Sequence, residues 1–122
     1  MTLQELYENI NGDYDRVIRV LRMDKLIDKH IRKFIQNGVP EALIEAGATM
    51  EPTQMFETAH AVKGVTANLG LNALSETASI LADEFRPGSS RTMSDEQVKE
   101  QLRAFEEQYR KTVEGIQAYA GE

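Results

Sequence analysis

Between Met55 and Ile116 the apolar residues recur mostly at alternating spacings of three and four, the period that lets one face of an α-helix be buried. Met55, Ala59, Val62, Thr66 and Leu69 make one such seam. Leu71, Leu74, Ala78, Leu81 and Phe85 make a second, and Val98, Leu102, Phe105, Tyr109, Val113 and Ile116 a third. A fourth, shorter seam runs through Ile27, Ile31, Phe34 and Ile35. Nowhere does the chain alternate with the period of two that a half-buried strand needs. Helices with a single apolar stripe must bury it against one another. The pattern therefore predicts an all-α fold, an antiparallel four-helix bundle with additional short N-terminal helices at its end or flank.

Punctuation residues divide the chain accordingly. Thr2 and Glu5 have capping-box spacing and open a short helix ending near Asn11-Gly12. Asp13 is placed to cap a second helix, reaching about Arg22, with Tyr14, Val17, Ile18 and Leu21 on one face. Asp24 is expected to cap a third, stopped by Asn37-Gly38. Pro40 suits the first turn of a fourth, which Gly47 is expected to close. Pro52 starts the next helix and Gly70 follows its end; Asn72 is expected to cap the one after, which stops at Pro87-Gly88. Ser94 and Gln97 form another capping box for the last helix. A chain of 122 residues without internal repeats suits one domain over residues 1–122.

A formal charge of −6 argues against nucleic acid as a partner and against an anionic membrane surface, since both are bound through Lys and Arg. The absence of cysteine excludes disulfides, thiol chemistry and thiolate metal sites. Met1–Ile10 lacks the apolar core of a signal peptide, and no apolar run approaches the ~20 residues of a membrane span. These features predict a cytoplasmic protein, and the starting Met favours a stand-alone chain, a monomer, over a module of a larger kinase.

Chemistry concentrates at one of only two histidines. His60 follows the seam residue Ala59, so it points along the flank of the bundle. Lys63 and Gly64 follow at the two spacings that share its helix face. Side chains on a helix lean toward its N-terminus, which carries the Lys63 ammonium back toward the imidazole. Gly64 costs roughly 1 kcal/mol relative to Ala in mid-helix, and a bare patch of backbone beside the histidine offsets such a cost functionally. Ala61 and Ala67 extend this low relief. An imidazole with an unperturbed pKa near 6.5 offers a free nitrogen to phosphorus at neutral pH. An ammonium ~5 Å away stabilises the phosphoryl charge by on the order of 1–3 kcal/mol at a surface-like dielectric, less with salt. No Gly-rich phosphate loop and no carboxylate metal cluster is present, so the chain is expected to have no kinase activity, no cofactor and no metal of its own. The phosphoryl group must arrive from a partner that brings both Mg²⁺ and an aspartate.

The run Ala59-His60-Ala61-Val62-Lys63-Gly64-Val65-Thr66-Ala67-Asn68-Leu69-Gly70, with Leu74 and Leu81 beyond it, resembles the signature of histidine-phosphotransfer (HPt) domains of bacterial two-component phosphorelays. The resemblance is centred on about residues 52–86 and extends more loosely to Gly12-Asp13-Tyr14 and the Phe34 region. It implies a four-helix bundle in which His60 is the phosphoacceptor, Lys63 stabilises the phosphate and Gly64 gives access. It also implies response-regulator receiver domains or a sensor histidine kinase as partners, with phosphoryl groups relayed to or from receiver aspartates. Some members hold the imidazole with a Gln from the next helix, at a position where this chain has Ala82 beside Asp83. The group that orients the ring is thus open, with Glu57 one turn before His60 as a candidate on the partner-facing surface.

Plainer readings stand beside these. Gly64 also suits close helix packing, and Glu57 an ordinary exposed charge. His30 reads as surface or boundary, and no carboxylate stands where a His30–His60 metal site would want one. The Met, Phe and Tyr positions read as core, and the acidic pairs Asp83-Glu84 and Glu106-Glu107 as solvated helix faces. The alternative function is a helical adaptor that binds receiver-like or kinase partners without carrying phosphate.

Overall fold

The computed structural model describes residues 1–121 and contains seven helices among them, with no strand. In chain order they are α1 (Leu3–Asn9), α2 (Tyr14–Leu21), α3 (Asp24–Phe34), α4 (Val39–Thr49), α5 (Pro52–Asn68), α6 (Asn72–Glu84) and α7 (Asp95–Ala120). The three long seams are buried as their spacing demands. Met55, Ala59, Val62, Thr66 and Leu69 of the α5 seam are buried, as are all five residues of the Leu71–Phe85 seam. Val98, Phe105, Tyr109 and Ile116 carry the third seam inward, with Leu102 and Val113 half-buried at its margin.

The turn Leu69–Leu71 folds α6 back against α5 as an antiparallel hairpin, and α7 packs on α6. The fourth wall is shared. Helix α4 packs against both α5 and α7, while the Ile27–Phe34 seam of α3 packs against α2 and α7. Two tyrosines of α7 tie down this wall: Tyr109 donates to Glu41 Oε1 at 2.5 Å and Tyr119 to Asp28 Oδ1 at 2.5 Å.

The N-terminal helices are fastened to the far end of α5. The last carbonyls of a helix have no partner within it. Here Tyr7 Oη donates to the Leu69 carbonyl (2.8 Å), the Asp13 amide to that of Gly70 (2.8 Å), and Arg16 Nε to that of Ala67 (3.2 Å). Gly70 adopts φ +70°, and a Cβ there would stand 2.5 Å from the Asp13 carbonyl oxygen. Only glycine meets both conditions at this junction.

Several local expectations are corrected. Asp24 does not cap α3: Met23 holds the cap position without a side-chain bond, and the Asp24 carboxylate accepts the Tyr14 hydroxyl instead. Asn72 likewise lies one residue inside α6, with Leu71 at the cap. Gly47 does not end α4, which runs to Thr49 and closes on Met50 in the left-handed region. A Cβ at Gly47 would fall 2.7 Å from Leu102 Cδ1, so this glycine lets α4 approach α7. Glu84 is no solvated face. Its side chain is 4% exposed and accepts from the Thr92 and Met93 amides, the Thr92 hydroxyl and Arg91 Nε, clasping the loop between α6 and α7. Among the methionines read as core, Met1 and Met23 are exposed.

Candidate functional site

Helix α5 presents His60 to solvent because the buried seam occupies its opposite side. His60, Ala61 and Gly64 are exposed, while Lys63 and Ala67 are partly covered. The low relief expected around the histidine is therefore present, and its cause can be separated from packing. A Cβ built on Gly64 would meet nothing within 4 Å, so no neighbouring helix requires glycine there. Gly47 and Gly70, by contrast, would clash at 2.7 and 2.5 Å. Gly64 weakens its helix by roughly 1 kcal/mol relative to Ala with no packing return.

Lys63 leans toward α6. It lines a polar groove with Arg16, Ala67, Asn72, Ser75 and Ser79. The hydrogen bond from Arg86 (2.6 Å) holds the Asp83 carboxyl below the usual carboxylate range, helped by the charges of Arg86 and Lys63. Asp83 stands at the end of α6 that pairs with the start of α5. Arg16, from α2, brings a second cation to the same groove; nothing in its local sequence marks it, because only the tertiary fold places α2 there.

The imidazole itself has one neighbour of note. Phe56, one turn earlier, stacks on it with ring centroids 5.5 Å apart and planes inclined by 19°. Offset aromatic pairs of this kind contribute about 0.5–1.5 kcal/mol beyond area burial. Phe56 is half-buried against the core cluster, and the Arg86 guanidinium lies over its ring at 5.9 Å from the centroid. Among the described residues no hydrogen bond reaches either ring nitrogen of His60. Ala82 is 1% exposed and offers no polar group. Glu57 is exposed and lines a groove toward Ala42, Glu45 and Thr49 of α4, without a bond to His60. Phe56 was read with the core, yet it belongs to this site; its spacing of four from His60 was the available signal.

His30 is exposed on α3, beside a shallow apolar groove that includes Phe34, Val65 and Leu69. Among the described residues no group of three or more His, Asp and Glu side chains is placed to hold a metal ion. No helix there is long and apolar enough to cross a membrane.

Comparison of the chain with individual curated proteins and with solved structures returns no match. The family model described as the Hpt domain matches residues 27–118, from within α3 to near the end of α7. Domains of this family are helical phosphoryl carriers that work with receiver and kinase domains in two-component signalling and have no kinase activity of their own. The match covers most of the 122 residues and contains all of α4, α5 and α6, leaving α1 and α2 outside it; the chain belongs to the Hpt domain family.

Proposed function

We propose that this protein carries a phosphoryl group on His60, exchanging it with receiver-domain aspartates or accepting it from a sensor histidine kinase. The observation that carries this reading is an exposed imidazole whose nitrogens accept or donate no hydrogen bond among the described residues, on a helix face cleared by Gly64. A nucleophile engaged in an internal hydrogen bond would have to break it before attack; this one does not.

In transfer from a phosphorylated receiver, a ring nitrogen lone pair attacks phosphorus. The N–P bond forms as the P–O bond to the aspartate breaks, and that electron pair leaves with the carboxylate. The other ring nitrogen retains or releases its proton to solvent, and the return reaction reverses each change. Lys63 lies on the same face and balances the incoming negative charge. In the free protein the charge of Lys63 also helps to hold the Asp83 carboxyl below the usual carboxylate range. Ala61 and Ala67 leave room for a partner surface beside Gly64, and Glu57 stands at its edge. Mg²⁺ and the acceptor aspartate belong to the partner. The protein carries the phosphoryl group as a cytoplasmic monomer.

The test is to incubate the protein with a phosphorylated receiver and measure acid-labile, alkali-stable label. Wild type and His30→Gln are expected to take up label, and His60→Gln none. Undiminished uptake by His60→Gln overturns the assignment. Partner binding that survives in a protein never labelled by any donor supports the adaptor instead.

A further inference from the structure

We infer that Phe56 is the positioning residue for the His60 ring, holding it by aromatic stacking where a hydrogen bond from the next helix is lacking. The inference rests on the reading of His60 as phosphoacceptor. It starts from a deficiency. An exposed histidine on a helix has two of the three χ1 wells open to it and two orientations about χ2, about four arrangements in all. Only some of these direct a nitrogen away from the helix toward an approaching phosphorus. A polar side chain from a facing helix would select among them, but α6 offers the buried methyl of Ala82.

Phe56 supplies the selection by contact. Its ring is nearly parallel to the imidazole, at 19° and 5.5 Å, so rotation of His60 about χ1, or a quarter-turn about χ2, breaks the stack, whereas a half-turn about χ2 keeps the same plane. The platform is itself held. Phe56 packs on the core cluster from one side, and Arg86 covers it at 5.9 Å, pinned by its 2.6 Å ion pair with Asp83. The order of support thus runs from Asp83 through Arg86 and Phe56 to His60. Stacking differs from a hydrogen bond in one consequence for the chemistry: it fixes the ring plane while leaving both nitrogens without a partner, one to attack and one to exchange its proton with water.

The experiment compares wild type, Phe56→Leu and Phe56→Tyr in single-turnover phosphoryl uptake from phosphoramidate and from a phosphorylated receiver. In parallel, the ring C–H resonances of His60 are recorded by NMR. The Leu variant keeps the apolar contact with the core but has no ring face. Its maximal rate is expected to fall about twofold with both donors, as the ring redistributes over its χ1 wells, with the KM for the receiver unchanged. Phe56→Tyr is expected to restore the rate. The His60 resonances of wild type and Phe56→Tyr should carry the upfield ring-current shift of a stacked neighbour, which Phe56→Leu loses. Wild-type rates in Phe56→Leu, or His60 resonances in wild type without that shift, overturn the inference. A change confined to KM for the receiver also overturns it, since Phe56 would then be a docking contact. If the Leu variant does not fold, the wild-type ring-current shift and the Tyr rate still decide the matter. Failure of the underlying reading looks different: wild type itself would take up no label on His60 while the ring-current shift remained.

Discussion

Met55, Ala59, Val62 and Thr66 line one side of α5 and are fully buried, whereas His60, Ala61 and Gly64 on the other side stand in solvent. The buried side follows the rules of packing: apolar surface, regular spacing, and a threonine whose hydroxyl is satisfied by the Val62 carbonyl at 2.7 Å. The open side breaks the rules of helix building, with a glycine that none of the described residues crowds and a histidine that none of them bonds. The same contrast recurs on α6 between adjacent carboxylates. Asp83 is exposed and holds Arg86 near the histidine, while Glu84 is turned inward to clasp the next loop. Packing accounts for the buried member of each pair and not for the exposed one. A position that costs the fold stability without packing return is a candidate for the surface on which the protein works.

This separation can be broken or sharpened by substitution. The largest effect on the fold is expected from Met55→Ala, which empties a fully buried site on the packed side and costs about 2–5 kcal/mol by chemical denaturation. The folded fraction should still take up phosphoryl groups at the wild-type rate; a lost rate in fully folded protein would merge the two sides.

Next comes Glu84→Gln, expected to cost about 1–3 kcal/mol because four donors lose a charged acceptor. Burial alone would raise the Glu84 carboxyl. The Met93 amide, the Thr92 hydroxyl and amide, and Arg91 outweigh it and hold the group below the usual carboxylate range. A depressed folded value means that the stabilisation is complete above the unfolded value, about 4.3, and is lost as pH falls through the folded one. Wild type should therefore lose more stability than Glu84→Gln between neutral pH and acid below that value. Parallel acid titration curves for the two would remove Glu84 from the clasp.

On the open side, Lys63→Ala should leave stability within about 0.5 kcal/mol and slow phosphoryl uptake about tenfold at low salt, with Lys63→Arg retaining most of the rate. The deficit should shrink as salt is raised. The smallest and most diagnostic change is Gly64→Ala. Since its Cβ meets open space, it is expected to stabilise the helix by about 1 kcal/mol while slowing transfer from a receiver more than from a small donor. Destabilisation by Gly64→Ala would restore the packing explanation.

Periodicity made the α5 and α6 seams legible in the sequence to the residue, because burial on a helix has one geometric signature. The capping boxes at Thr2 and Ser94 were legible for the same local reason, and both form. Asp24 and Asn72 mark helix starts but miss the cap by one residue; Asp24 is claimed by Tyr14, ten residues away in sequence. Gly47 was misplaced because a glycine that ends a helix and one that admits Leu102 from α7 are the same letter. Glu84 was hidden because its partners lie seven to nine residues on, in an irregular loop. At the site, His60, Lys63 and Gly64 could be grouped from spacing on one helix. Arg16 and Arg86 could not, since α2 and the end of α6 reach α5 only through tertiary packing.

On the proposed function, the open side of α5 carries the phosphoryl group. The most direct measurement is intact-mass analysis of the protein after exposure to a phosphorylated receiver, with fragmentation to locate the modification under alkaline conditions that preserve N–P bonds. One phosphoryl group per chain, on His60, is expected. A phosphoryl group on His30, on a carboxylate, or on no residue at all would contradict it.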